Sequence, residues 1–221
     1  VLWGDPEVQW AFAPAVNKAG GLLCLWSGKV FNLRTKVVGG GFVYLEGKWV
    51  VDDSNVVIVN VYSPCEASQK RCFWDSIKQL REANMEGLWC VVGDFNSVRR
   101  PSERSGVCHR PYEDGIMREF NVWLADLEVE DVPCNGRKFT WYRPNGTAKS
   151  RLDRALVSAE WLQKWPSTSL AILERNFSDH CPILLSSYVV DWGPKPFRFL
   201  DCWLQDKSFR KTVVEWWNSN Q

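Results

Sequence analysis

Histidine is scarce in this 221-residue chain, with two in all, and no two of its eight cysteines have Cys-x-x-Cys spacing. That combination argues against a zinc site. There is no apolar run long enough to cross a bilayer and no signal peptide, so no membrane partner is expected. The cysteines, at 24, 65, 72, 90, 108, 134, 181 and 202, are accordingly expected to be reduced thiols in an intracellular protein. Several sit inside apolar runs, as Cys24 and Cys90 do. Internal repeats and low-complexity tracts are lacking too. Net charge is only +1, so bulk charge argues neither for nor against nucleic acid, and its distribution has to decide. The chain opens on Val1 and not Met, and is expected to be a piece of a longer protein.

What is present suits one large globular domain with an appendage: 45% of residues are hydrophobic and 24% charged. Most of the 14 tryptophans are expected in the core or between helices. Leu22–Trp26, Val30–Val37 and Phe42–Glu46, separated by glycine clusters, read as strands. Val56–Tyr62 is strongly β-branched and reads as a central strand. Leu88–Val92 reads as a buried strand, and Leu170–Leu173 and Ile183–Ser187 finish the set. Gln69–Ala83 places Phe73, Ile77 and Leu80 on one helical face, and Asp114–Leu127 carries a second apolar stripe. Phe139–Tyr142 and Leu152–Val157 read as the two strands of a hairpin around a Pro144-Asn145-Gly146 turn. Trp192–Pro196 reads as a linker and Lys207–Trp217 as a short helix. Strands mixed with helices along one chain imply sheets layered with helices.

Charge is unevenly placed. Basic residues at 137, 138, 143, 149, 151 and 154 face the single acid Asp153 along the expected hairpin. That suits a phosphate-facing role or an ordinary solvated loop equally well. The acid-rich stretch from Glu113 to Asp131 reads as a solvated face.

Three short motifs carry chemistry. Gly93-Asp94-Phe95-Asn96 follows a buried strand and delivers a carboxylate and an amide to a sheet edge. The carboxylate can orient or deprotonate a water, although Asp-x-Asn after a strand is also an ordinary turn. Ser178-Asp179-His180-Cys181-Pro182 places an acid beside one of the two histidines at a strand entry, suited to a metal or a phosphate, or to a plain surface loop. Ser150-Arg151-Leu152-Asp153-Arg154 places an acid that could hold an imidazole in one tautomer, or simply form a salt bridge.

In this order, and with Asn60-Val61-Tyr62-Ser63-Pro64 upstream, the motifs resemble the endonuclease/exonuclease/phosphatase superfamily. The likeness runs from Leu22 to Ser187 and is to the apurinic-endonuclease-like branch found in LINE retrotransposons, plant LINE-type reading frames above all. It extends to the opening residues 2–26 and to the closing segment 194–204, which resembles the bridge to a reverse transcriptase. The resemblance implies a DNase I-like α/β (α+β) fold, a four-layered sandwich of two mixed β-sheets flanked by helices, over residues 1–190. Residues 191–221 would lead to a reverse transcriptase region in cis.

The resemblance also implies roles. Asp94 would orient or activate the attacking water, Asn96 and Tyr62 would contact the scissile phosphate, and Asp153 would pair with His180, itself a phosphate contact or base. Asp179 would help hold Mg²⁺ or Mn²⁺, with Asp94, Asn96 and His180 as further candidate ligands. Arg143, Asn145, Lys149 and Arg151 are the candidate DNA contacts. The expected activity is nicking of DNA in the nucleus, leaving a 3′-hydroxyl that primes reverse transcription. Ser150 stands where some repair relatives have Trp, which argues against an abasic-site specialist. Phosphoinositide phosphatases and deadenylases fit less well, given Phe139-Thr140-Trp141, the basic hairpin and the tail. The family's opening strand, helix and strand, ending in a metal-binding Gln-Glu, have no counterpart in this sequence, and Glu7 does not match that pair. The chain alone is therefore expected to have little or no nuclease activity, or to be a dead remnant.

Overall fold

The β-branched run 56–62 and the apolar run 88–92 lie side by side in the computed structural model, as parallel neighbours at the centre of a six-stranded sheet. The structure describes residues 4, 7–15, 21–106, 111–187 and 207–219. In chain order the first elements are β1 (Val8–Ala13), β2 (Leu22–Ser27), β3 (Phe31–Gly39), β4 (Phe42–Trp49), β5 (Ser54–Tyr62), α1 (Ala67–Ala83) and β6 (Leu88–Asp94). Then come β7 (Arg104–Ser105), α2 (Pro111–Asp126), β8 (Val129–Asp131), β9 (Cys134–Asn135), β10 (Trp141–Tyr142) and β11 (Lys149–Ser150). The last are β12 (Asp153–Ser158), α3 (Ala159–Lys164), β13 (Ser169–Ile172), β14 (Ile183–Ser186) and α4 (Lys207–Ser219).

The main sheet has the order β3-β4-β5-β6-β12-β8. Its two faces follow the two-residue period of a strand. Val57, Val59 and Val61 of β5, Trp89 and Val91 of β6 and Leu156 of β12 face α1 and α2. There they meet Phe73, Trp74 and Ile77, and a stack of Phe120 and Trp123 on Trp74 with centroids 5.8–5.9 Å apart. Val56, Cys90, Ala155 and Val157 face the other way, against the β1-β2 pair and the β14-β13-β9 sheet. The result is a mixed α/β fold of sheets and helices.

Three expectations need correction. β1 is a strand that the sequence did not announce. Its small Ala11 and Ala13 are buried while the large Trp10 and Phe12 are exposed, the reverse of the usual pattern, so its alternation is hidden. Next, the segments 139–142 and 152–157 do not pair as one hairpin. β10 pairs with the short β11, and β11 with β7. The chain then crosses at Arg151-Leu152 into the main sheet, where β12 lies between β6 and β8. Thr140, fully buried, holds the crossing, because its Oγ1 accepts from the backbone N–H of Leu152 and Asp153 at 2.9 and 3.0 Å.

The third correction concerns Asp131, read as part of a solvated acidic face. It is buried with Glu103 around Arg154, whose side chain is 0% exposed. Arg154 Nη1 lies 2.7 Å from Asp131 Oδ2, and its Nη2 bonds Glu103. Arg151 joins at 2.7 Å to Asp131 and 3.6 Å to Glu103, and Arg99 donates its backbone N–H to Glu103 at 2.7 Å. These charges are expensive to bury, and the cluster holds because each is matched.

The chain divides into two compact units, Val1–Tyr188 and Val189–Gln221. In the second unit α4 exposes Val213, Val214, Trp216 and Trp217. The expected linker at Trp192–Pro196 and the closing segment 194–204 lie outside the described residues.

Arg154→Met should lower unfolding free energy by about 3–5 kcal/mol, the cost of leaving buried carboxylates unmatched, and urea unfolding measures it. A loss below about 1 kcal/mol would show that the cluster relaxes without its cation. Burial alone would push the Glu103 carboxyl up, but Arg154, the Arg99 N–H and Arg151 hold it below its ordinary 4.5. A depressed carboxylate contributes stability above its unfolded value and loses it as pH falls through the folded one. Glu103→Gln should therefore flatten the acid side of the stability profile below about pH 4.5.

Candidate active site

Three strand ends form one row. β5 and β6 run parallel with Tyr62 opposite Asp94, and β6 and β12 run antiparallel with Asp94 opposite Asp153. All three residues have the parity of the face turned away from α1 and α2, so their side chains emerge together at one end of the sheet. Gly93 makes the close approach possible. At φ +136°, a Cβ there would lie 2.2 Å from the Val61 carbonyl oxygen, so only glycine fits.

Beyond the row, Asn96 takes a left-handed conformation at φ +46°, which asparagine tolerates. Its backbone N–H donates to Asp94 Oδ1 at 2.8 Å. Its side-chain Nδ2 donates to the Ser63 carbonyl at 2.8 Å. Lys70 of α1, buried, donates to the Asn96 carbonyl at 2.5 Å and to Ser97 Oγ at 2.9 Å. The turn that carries Asn96 is thus held from both sides.

His180 arrives from a distant part of the chain. The Cys181 N–H donates to the Thr140 carbonyl at 2.7 Å, and the Tyr142 N–H to the Asp179 carbonyl at 2.9 Å. The same Thr140 therefore places both Asp153 and His180. The imidazole Nδ1 lies 2.8 Å from Asp153 Oδ2 and its Nε2 lies 3.9 Å from Asp94 Oδ2. One ring is flanked by two carboxylates. Asp179, exposed, accepts from Trp141 Nε1 at 2.9 Å.

The electrostatics follow from this crowding. Burial, with Asp153 alongside, pushes Asp94 up to about 6, against the opposing pull of the Asn96 N–H, His180 and Lys70. The hydrogen bond to Asp153 raises His180 above its ordinary 6.5, against desolvation and with help from the charges of Asp153, Asp94 and Asp179. Burial and the negative neighbours Asp94, Cys65 and Asp179 raise the Tyr62 phenol, so it stays a hydrogen-bond donor at neutral pH. A carboxyl near 6 beside a histidine whose protonated form is favoured can exchange protons at neutral pH.

The structure brings Tyr62, Asp94, Asn96, Asp153 and His180 into one site, with Asp179 next in chain to His180. Arg151 is turned inward to Asp131 and Glu103, so its charge is matched within the protein and not offered to a ligand. Arg143 and Asn145 are exposed on the β10–β11 turn. Asn145 shapes that turn, with Oδ1 accepting from Thr147 N and Oγ1 at 3.1 and 2.7 Å. Lys149 lies 4.9 Å from the Phe139 ring. Sequence reasoning missed the support that Thr140, Lys70 and the Trp141 indole give from outside the motifs, and it assigned no role to Ser63 within Asn60–Pro64. Thr140 and Trp141 had drawn notice only as part of a strand.

Among the described residues no three His, Cys, Asp or Glu side chains gather as a metal site. His180 has a carboxylate beside each nitrogen, and Asp94 and Asp179 each already accept a hydrogen bond. The donors on hand do not make up a divalent-cation site by themselves.

Residues 1–180 match the Endonuclease/Exonuclease/phosphatase family. The chain belongs to that family. Its site row therefore sits on a family fold, and solved structures agree. The endonuclease domain of TRAS1, a telomere-specific non-LTR retrotransposon, is similar with a TM-score of 0.60 at 12% identity, over 82% of this chain and 80% of that one. The catalytic domain of Xenopus laevis APE2 gives 0.60 at 15%, over 82% and 76%. The AP endonuclease LMAP from Leishmania major gives 0.59 at 15%, over 81% and 70%. At such identities the likeness establishes the fold. No curated protein matches the chain.

Asp153→Asn removes the partner that raises His180, so the imidazole titration followed by NMR should shift to lower pH. An unchanged midpoint would show that the pair does not form in solution.

Proposed function

We propose that this chain is the DNA-nicking endonuclease domain of a plant LINE-type retroelement protein, acting in the nucleus beside a reverse transcriptase region in cis. The observation that carries the reading is the row Tyr62–Asp94–Asp153 with His180 between the two carboxylates. A basic turn beside it, at Arg143 and Lys149, suits a phosphate backbone. The fold shared with the TRAS1 endonuclease domain adds support.

In this scheme a water attacks the phosphorus of a phosphodiester and loses its proton to Asp94. Protonated His180, oriented by Asp153, and the Tyr62 phenol donate to the phosphoryl oxygens where negative charge develops. Asn96 adds its amide. The P–O3′ bond breaks, and the departing oxygen takes a proton from solvent to become a 3′-hydroxyl opposite a 5′-phosphate. The resemblance calls for Mg²⁺ or Mn²⁺, but Asp94, Asn96, Asp179 and His180 do not complete a ligand set among the described residues, so no step is assigned to a cation.

That last observation favours a second reading, in which the chain binds DNA without cutting it. Incubation with supercoiled plasmid and Mg²⁺ or Mn²⁺ separates the two. The first reading expects open circles whose nicks a DNA polymerase can extend. It also expects His180→Ala and Asp94→Asn to slow nicking by roughly 100-fold or more, the usual contribution of a proton-transfer group. Binding without nicking in either metal supports the second, and nicks that cannot be extended would overturn the 3′-hydroxyl assignment.

A further inference from the structure

The loop between β13 and β14 carries Asp179 and His180, and it also carries a feature the chemistry does not use. Phe177 is 100% exposed, more than any other large apolar residue described. Its neighbours Glu174, Arg175, Asn176 and Ser178 are polar and exposed as well, so no apolar patch surrounds it. The loop is nonetheless firmly based. Leu173 N–H donates to the Pro182 carbonyl at 2.8 Å, closing its neck, and Asp179 is tied to Tyr142 and Trp141 at 2.9 Å. A bare phenyl ring on a pinned loop gains nothing for the fold, since it buries no surface.

Its surroundings say what it suits. Arg175 lies 5.4 Å over the Tyr142 ring, and Lys138 and Lys149 lie 5.5 and 4.9 Å from the Phe139 ring. Cations and aromatic rings interleave along the side of the site that β10, β11 and this loop share. That composition fits a polyanion that also offers flat apolar faces, which is a nucleic acid. Three Cα steps lead from Phe177 to His180, a reach of at most about 10–11 Å, or roughly three base steps at about 3.4 Å each.

Resting on the DNA-cutting function proposed above, we infer that Phe177 is a wedge that stacks on a nucleobase within about three steps of the scissile phosphate. It opens the stack there and selects steps that unstack readily. Pyrimidine–purine steps such as TA yield most easily, and apolar side chains inserted between steps kink the duplex. The ligand is thus a base pair step, and the residue determines specificity without touching the reacting atoms.

The test uses the whole chain and a 20-base-pair duplex with 2-aminopurine at a single central TA step. Anisotropy gives affinity, and 2-aminopurine fluorescence, which rises on unstacking, reports the wedge. Phe177→Ala should weaken binding about tenfold, one stacking contact, and abolish the fluorescence rise. Phe177→Trp should keep both. Because the ring is fully exposed, all variants should melt like the parent. If Phe177→Ala binds and unstacks as the parent does, while Arg143→Ala with Lys149→Ala weakens binding, the wedge is overturned and the DNA reading stands. If the parent binds neither this duplex nor any other, the DNA reading falls and the wedge with it.

Discussion

The guanidinium of Arg154, sealed between Glu103 and Asp131, is the interaction on which this fold turns. Its two partners come from a turn before β7 and from β8, segments that lie far from β12 in sequence. Matching their charges fixes β12 between β6 and β8, and it brings the β7 region, to which the β10–β11 hairpin is attached, against the main sheet. Asp153 and Arg154 are adjacent on β12 and emerge on opposite faces. The same two residues therefore serve the site on one side and the foundation on the other.

The site itself works by crowding. Three carboxylates, a phenol and an imidazole share one end of a sheet. Burial makes the Asp94 charge costly, and His180, set between Asp94 and Asp153, offsets it. The Asp94 carboxyl is pushed up to about 6 and the imidazole is raised above its ordinary 6.5, so both exchange protons closer to neutral pH than a free carboxyl would. Burial contributes most to the first shift and the hydrogen bond to Asp153 most to the second.

Much of this was legible in the sequence. The β-branched run ending at Tyr62 and the apolar run ending at Asp94 announced central strands, and motif order brought Asp94, Asp153 and His180 under one hypothesis. Local patterns failed where long-range partners decide. Nothing near Asp131 shows that two buried arginines await it, so a solvated acid was the natural reading. Arg151 read as a DNA contact, and Arg154 as one more cation of the basic stretch, because their partners lie at positions 103 and 131. β1 was hidden because its alanines face the core and its aromatics face solvent. The hairpin was misjoined because β11 and β12 follow each other directly and only the Thr140 hydroxyl marks where the chain changes sheet.

Adjacent residues on opposite faces tie decay of the chemistry to decay of the fold. A slip of β12 by a single residue would turn the guanidinium toward the histidine and a carboxylate toward the apolar helices, so no intermediate register is tolerable. A chain selected only to fold would keep Arg154, Glu103 and Asp131, and with them the register that presents position 153 to the histidine. Persistence of that trio across related chains would then testify to foldability, whereas Asp153, His180 and Asn96, which stand outside it, would be the positions whose survival records continued use of the site.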